Sequence, residues 1–173
     1  MELTKIAFGG GCHWCTEAVF ESLKGVNKVN QGWVASTNKN KTFSEAVIVS
    51  FYADKIDLKT LIEIHLLTHK STSNHSMRKK YRSAIYYFSN AQKLASEKII
   101  NQLQNNLFDK KIVTQVLPFQ QFKPSAVAFQ NYYQANPNKP FCKNYINPKL
   151  KLLLQKFAFH IDQSKVSHLI STT

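Results

Sequence analysis

The chain is short of acid, of cysteine, of glycine and of proline, and it has no long apolar run. Its 10 Asp and Glu stand against 23 Lys and Arg, a net charge of +13. Such an imbalance opens nucleic acid, anionic membrane and acidic substrates as partners. The basic residues are spread along the 173 positions, however, with only short clusters at Lys79-Lys80-Arg82 and Lys110-Lys111. No zinc-finger spacing, aromatic RNP pattern or helix-turn-helix signature accompanies them, so no specific nucleic-acid partner is expected. The charge reads as solvated surface, the other reading being a basic rim around a site. Three cysteines do not make a disulfide scaffold and suit a reducing compartment, with cytoplasm the default. No apolar run approaches the roughly 20 residues of a membrane span. The start, Met1-Glu2-Leu3-Thr4-Lys5, runs into a strand pattern without a secretory signal. The Cys-x-x-Cys spacing occurs once, without a second pair, which argues against a structural zinc site.

What is present is a chain of ordinary single-domain size, with 43% hydrophobic residues, enough for a proper core. Residues 1–160 read as one domain and 161–173, polar and weakly patterned, as a loosely held tail. A strand over Thr4–Phe8 precedes a helix over Trp14–Leu23, with Gly25 suited to its C-cap. Val29–Ala35 is a second strand, Ser36–Lys41 a polar loop, and Glu45–Tyr52 a third strand. Asp57 caps a helix through Leu58, Leu61, Ile62 and Leu66. The polar segment Lys70–Lys80 leads to a strand at Ser83–Phe88. Asn90 then caps a helix with Ala91, Leu94, Ala95, Ile99 and Leu103 on one face. Ile112–Leu117 is a further strand, and Ser125 opens a helix through about Tyr133. Asn147-Pro148 starts a last helix with a stripe of Leu150, Leu153, Leu154 and Phe157. The order strand, helix, strand, strand, helix, strand is that of an α+β, ferredoxin-like split βαβ sandwich with C-terminal additions.

Three of the five glycines are consecutive, in Phe8-Gly9-Gly10-Gly11-Cys12-His13-Trp14-Cys15. This run places Cys12 where a strand turns into a helix. Unpaired backbone N–H groups and the positive end of the helix dipole favour thiolate there, the form that attacks electrophiles. Glycines beside it let a substrate approach the backbone closely.

The Gly-Cys-His-Trp sequence resembles the Gly-Cys-Phe-Trp signature of the A-type peptide methionine sulfoxide reductases. Other segments match in the family's order: Gly32-Trp33, Glu45-Ala46-Val47, Tyr81-Arg82-Ser83-Ala84-Ile85-Tyr86, and Asn136-Pro137 followed by Cys142. The resemblance spans roughly Lys5 to Leu154, and its specificity lies in the combination. It implies reduction of the S epimer of methionine sulfoxide, free or in proteins, by an enzyme that repairs oxidation damage and is recycled by thioredoxin or a similar dithiol. Neither a metal nor an organic cofactor is implied, and a monomer is expected. Cys12 would attack the sulfoxide sulfur and become a sulfenic acid, which condenses with a second thiol.

By the same resemblance Glu45 manages the sulfoxide oxygen. It alternates with Val47, Val49 and Phe51, so it faces the apolar side of its strand, where burial keeps a carboxyl protonated. Tyr81 would bond the same oxygen, Trp14 would wall the pocket for the methyl group, and Arg82 would support the site. Cys142, in a turn-rich stretch after Pro137 and Pro140, suits a resolving thiol. Cys15 reads either as a small helix residue or as the partner in a Cys12–Cys15 disulfide.

Four departures bear on substrate binding. His13 stands where the family has phenylalanine, and either stabilises the thiolate when protonated or fills the same space. Trp33 stands for a tyrosine and offers only an N–H donor. The segment between His69 and Tyr81 is short and lacks the family's aspartate; Ser76 falls at that position, with His75 beside it. The loop from Ser36 to Phe43 is short as well. Two other functions remain open: a thiol–disulfide oxidoreductase using Cys12 and Cys15, and a sulfoxide-binding protein whose chemistry the His13, Trp33 and loop changes have altered.

Overall fold

A computed structural model describes residues 2–170. Strand β1 (Leu3–Gly9) leads through the glycine turn to helix α1 (His13–Glu21), and strands β2 (Val26–Ala35) and β3 (Ser44–Tyr52) follow. Helix α2 (Leu58–Thr68) begins at Asp57, whose side chain accepts the Thr60 N–H as the sequence predicts. Strand β4 (Ala84–Tyr87), helix α3 (Asn90–Leu107) and strands β5 (Gln115–Pro118) and β6 (Gln121–Pro124) come next.

The sheet order is β5-β4-β1-β3-β2-β6. The four central strands pair antiparallel with one another, with β3 inserted between β1 and β2. This is the split βαβ core expected. Helix α3 returns the chain so that β5 lies parallel to β4, while β6 adds antiparallel to β2 at the other edge, making the sheet mixed. Strand alternation sorts the two faces. Ile6, Phe8, Val47, Val49 and Phe51 pack beneath the helices with Phe20, Leu61, Ile62 and Leu153. Smaller residues, Ala7, Ala46 and Ala84, occupy the opposite face with Val34 and Tyr86.

Several expectations are corrected. Ser89, not Asn90, caps α3 by accepting the Gln92 N–H. That helix buries Ser96 and Leu103, while Leu94 is 58% exposed. Gly25 is not the C-cap of α1, a position held by Ser22; it lies in the turn before β2 with φ +86°. No helix starts at Ser125. Instead the chain leaves β6, makes a 3-10 turn at Val127–Phe129, and forms only the short helix α4 (Tyr132–Ala135). The cause is tertiary: Gln31 and Gln130 bond the Ser125–Gln130 backbone and hydroxyl in place of helical partners. A π-helical turn, Cys142–Ile146, runs directly into α5 (Asn147–Lys156). Over 161–170, Ile161 and Val166 are buried and Ile161 bridges to Leu23. Residues 171–173 lie outside the described residues.

Candidate active site

The glycine turn is fixed from three sides. The His65 Nε2–H donates to the Gly9 carbonyl at 2.8 Å, and the Arg78 guanidinium donates to the Gly10 carbonyl at 2.9 Å. A Cβ on Gly10 would come within 2.4 Å of the His69 ring, so only glycine fits there. His65 is buried and His69 part-buried, and both are held neutral. Burial puts His69 down to about 4 and His65 well below its usual range; the charge of Arg78 adds to this at both, and that of His69 at His65.

Cys12 occupies the N-cap position of α1, and its carbonyl accepts the N–H groups of Cys15 and Thr16 at 3.1 and 3.2 Å. Its thiol is held below the usual range chiefly by a hydrogen bond from the Cys15 thiol, then by the backbone N–H groups of Trp14 and Cys15. Burial and the Glu45 charge oppose this. Cys15 is correspondingly pushed far up, because it donates to Cys12, is buried, and faces the charge on Cys12. The Lys149 ammonium, partly buried and hydrogen-bonded to the Thr68 carbonyl, lowers Cys15 and balances charge at both thiols. Cys142 is wholly buried in the π-helical turn and donates to the Asn136 carbonyl at 3.6 Å, with its thiol pushed up by burial. A loose, turn-rich setting for Cys142 is therefore not what the fold provides.

On the sheet side of Cys12, Glu45 is buried under the start of α1 as the strand pattern predicts. Its Oε1 lies 3.3 Å from His13 Nε2 and 3.5 Å from the His13 backbone N–H. Its Oε2 is buried without a hydrogen-bond partner among the described residues, and the Lys80 ammonium is 3.9 Å away. The His13 Nδ1–H donates to the Gly32 carbonyl at 2.7 Å. Trp33 meets the His13 ring edge-on at 5.1 Å between centroids. Cys12, His13, Glu45 and Trp33 are thus brought together.

Cys12 also borders an open cavity of about 640 Å³, whose walls include Gly11, Cys12, Cys15, Tyr81, Phe141 and Lys149. Tyr81 is therefore at the site, with the Lys80 ammonium 5.1 Å over its ring. Ser76 is not: it is exposed at the start of a 3-10 turn, and its neighbours His75 and Met77 line the cavity instead. Trp14 stacks on Tyr132 at 4.0 Å, meets Phe141 edge-on at 5.4 Å, and is absent from the cavity wall. Arg82 faces away, donating to Thr42 and Tyr86 and so tying β4 to the loop before β3.

Three supporting residues escape sequence reasoning. Glu17, fully buried, accepts from the Gln31 amide and from the backbone N–H groups of Asn131 and Tyr132, and so holds Tyr132 against Trp14. Arg78 gathers the carbonyls of Gly10, Lys70, Ser73 and Tyr81 and shapes the short segment before β4. Lys149 reaches the thiols from α5. Each spans a long stretch of sequence, and no local pattern marks it. Among the described residues no group of three or more His, Cys, Asp or Glu side chains is placed to hold a metal ion, and no helix is long and apolar enough to cross a membrane.

A nucleophilic thiol at a helix N-terminus, set against a buried carboxyl on a ferredoxin-like sheet, defines a cysteine-dependent enzyme. The model of the peptide methionine sulfoxide reductase family matches residues 4–161, and the chain belongs to that family. Peptide methionine sulfoxide reductase MsrA of Pasteurella multocida (strain Pm70) is 37% identical over 164 residues, covering 87% of this chain and 94% of the relative. The protein of the same description from Acinetobacter baumannii (strain SDF) is 35% identical, covering 87% and 93%. Among solved structures, Mxr1 from Saccharomyces cerevisiae in reduced form shares the fold with a TM-score of 0.71 at 21% identity, covering 82% of this chain and 90% of that one. Mxr1 in complex with Trx2 superposes with a TM-score of 0.59 at 22% identity, covering 76% and 85%.

Proposed function

We propose that Cys12 reduces the S epimer of methionine sulfoxide, free or in proteins, to methionine. The observation that carries this reading is the Cys12 thiol, held below its usual range at the start of α1, beside the buried Glu45 carboxyl with its unpartnered Oε2. Cys12 thiolate attacks the sulfoxide sulfur while one proton goes to the sulfoxide oxygen. The sulfur–oxygen bond of the substrate breaks as the oxygen passes to the Cys12 sulfur, the sulfur–sulfur bond made in the attack breaks in turn, and methionine leaves with Cys12 as a sulfenic acid. Sulfur of the substrate is reduced and Cys12 is oxidised, without metal or organic cofactor. Glu45 handles the proton, and Tyr81, in the cavity wall, donates to the same oxygen. Trp14, Trp33 and His13 offer apolar surface near the thiol for the methyl group.

The sulfenic acid then condenses with a second thiol, releasing water and forming a disulfide that a dithiol reduces. Cys142 is assigned as that thiol, and its turn packs against α1. Its burial means that the Cys142–Ile146 turn must open first. A second reading, a Cys12–Cys15 disulfide, is favoured by two thiols one helical turn apart, each of which shifts the other's ionisation. The complex of Mxr1 with Trx2 supports a thioredoxin as the electron donor. All the named groups come from one chain, so a monomer suffices, and thiol recycling suits the cytoplasm. The test is turnover of the two separated sulfoxide epimers with a dithiol reductant. Methionine should form from the S epimer alone. Equal turnover of both, or reduction of protein disulfides without sulfoxide turnover, would overturn the assignment.

A further inference from the structure

We infer that the cavity beside Cys12 selects acidic peptides, so that methionine sulfoxide is reduced best where aspartate or glutamate flanks it. This rests on the proposed sulfoxide reduction and names the substrate class of the same site. The wall that holds Cys12 and Tyr81 also holds Lys70 and Lys149, and among the described residues no Asp or Glu lines it. The chain segments that form the wall explain this. No acidic residue occurs between Glu63 and Glu97, or between Asp109 and Asp162. Wall residues from His69 to Tyr81 fall in the first of these stretches, and those from Phe141 to Lys149 in the second. The net charge of +13 thereby comes to bear on one opening.

The two ammonium groups of the wall are differently occupied. Lys149, half-buried, donates to the Thr68 carbonyl and balances charge at the Cys12 and Cys15 thiols. Lys70 is exposed, and among the described residues no carboxylate lies within ion-pair distance of it. Its charge is left for a ligand. The Arg78 guanidinium donates to the carbonyls of Gly10, Lys70, Ser73 and Tyr81 and likewise meets no carboxylate. Glu45, the acid of the site, already faces Lys80 at 3.9 Å, and that ammonium also stands 5.1 Å over the Tyr81 ring. An opening of about 640 Å³ has the size of a site for a drug-sized ligand. It takes in more than one methionine side chain, and so brings the flanking residues to the wall.

A peptide carboxylate suits this wall because the sulfoxide at Cys12 fixes the place of its neighbours. An ammonium on a flexible four-carbon stem can then meet a carboxylate beside the sulfoxide. Each such solvated pair contributes modestly. Basic flanks meet repulsion instead, so discrimination draws on both signs. Free methionine sulfoxide carries an ammonium next to its carboxylate and gains less. Salt weakens the preference, because the screening length falls from about 10 Å at 0.1 M to about 3 Å at 1 M.

The experiment measures kcat/KM, with an uncharged dithiol reductant, on short capped peptides whose methionine-S-sulfoxide is flanked by two aspartates, two alanines or two lysines. The wild type should prefer the aspartate peptide over the lysine peptide by about tenfold at low salt, with alanine between and the ratio shrinking as salt rises. Lys70→Glu should cut that ratio by about threefold or more. Lys98→Glu makes the same charge change on α3, which lines no part of the cavity, and should leave the ratio as it is. A ratio taken within one protein does not depend on its folded fraction. Equal kcat/KM for the three peptides overturns the proposal. So does an acid preference that survives Lys70→Glu, or one that Lys98→Glu weakens as much. Inactivity on every peptide, the alanine one included, would instead sink the sulfoxide reading itself, so the two failures are distinguishable.

Discussion

The two ends of helix α1 treat an anion in opposite ways. At its start, Cys12 is steadied as thiolate by the Cys15 thiol and by backbone N–H groups that the helix leaves unpaired. At its end, Glu21 is pushed up to about 8, first by burial and then by the charge of Glu17. Its Oε2 is buried without a hydrogen-bond partner among the described residues, and the nearby Lys165 donates to the Glu21 backbone carbonyl at 2.7 Å rather than to the carboxylate. No basic side chain occupies the last turn. The lesson is that burial alone does not decide the charge state. Donors aimed at the group do, and one helix supplies them at one end only.

The largest effect should come from removing the favoured anion. Cys12→Ser should lower sulfoxide reduction by at least about 10³-fold, because a hydroxyl at the same place is not ionised near neutral pH. Residual turnover near the wild-type rate would mean that another thiol is the nucleophile. Next in size is the fate of the oxidised helix start. Cys142→Ser should leave the first turnover intact while slowing steady-state recycling by roughly tenfold or more. Mass mapping after one turnover of the wild type should then show a Cys12–Cys142 disulfide; a Cys12–Cys15 linkage would move the resolving role to the first turn of α1. The smallest effect concerns the opposite end and stability only. The folded state keeps the Glu21 proton from about 4.5 up to about 8 while the unfolded chain loses it, so stability from this group falls as pH rises through that window. Glu21→Gln should therefore melt higher than the wild type at pH 9, by about 1–3 kcal/mol, and show little difference below pH 5. Equal melting temperatures at pH 9 would show that the carboxylate is well solvated after all.

The parts of the site that were legible in the sequence are those whose neighbours are local. The turn from β1 into α1 is written in three glycines and a change of hydrophobic period, and Glu45 is placed on the inner face by simple alternation with Val47 and Val49. Strand β6 was not legible. Its Gln121-Phe122-Lys123-Pro124 is too short and too polar to read as a strand, and it forms because β2 offers an open edge. A Cβ on Gly32 would come within 2.1 Å of the Lys123 carbonyl, so glycine there is what admits β6 so closely. The helix expected from Ser125 failed for a related reason, since Gln31, 94 positions away from Ser125, captures the groups that a helix would have used. The flexible setting expected for Cys142 rested on nearby prolines, yet the packing of α5 onto α1 draws that turn into the core.

By itself the sequence determined that a cysteine sits at the mouth of a helix, that an acid lies on the inner face of a strand, and that the chain alternates as a split βαβ fold. Those features depend on period, on glycine and on capping, which act over a few residues. Tertiary structure alone decided what surrounds the thiol. It set His13 between Gly32 and Glu45, closed Arg78 over the short loop, brought Lys149 to the thiols, and buried Cys142. The physical reason is that hydrogen-bond and charge partners are fixed by proximity in space, and that proximity exists only after the sheet has ordered its strands.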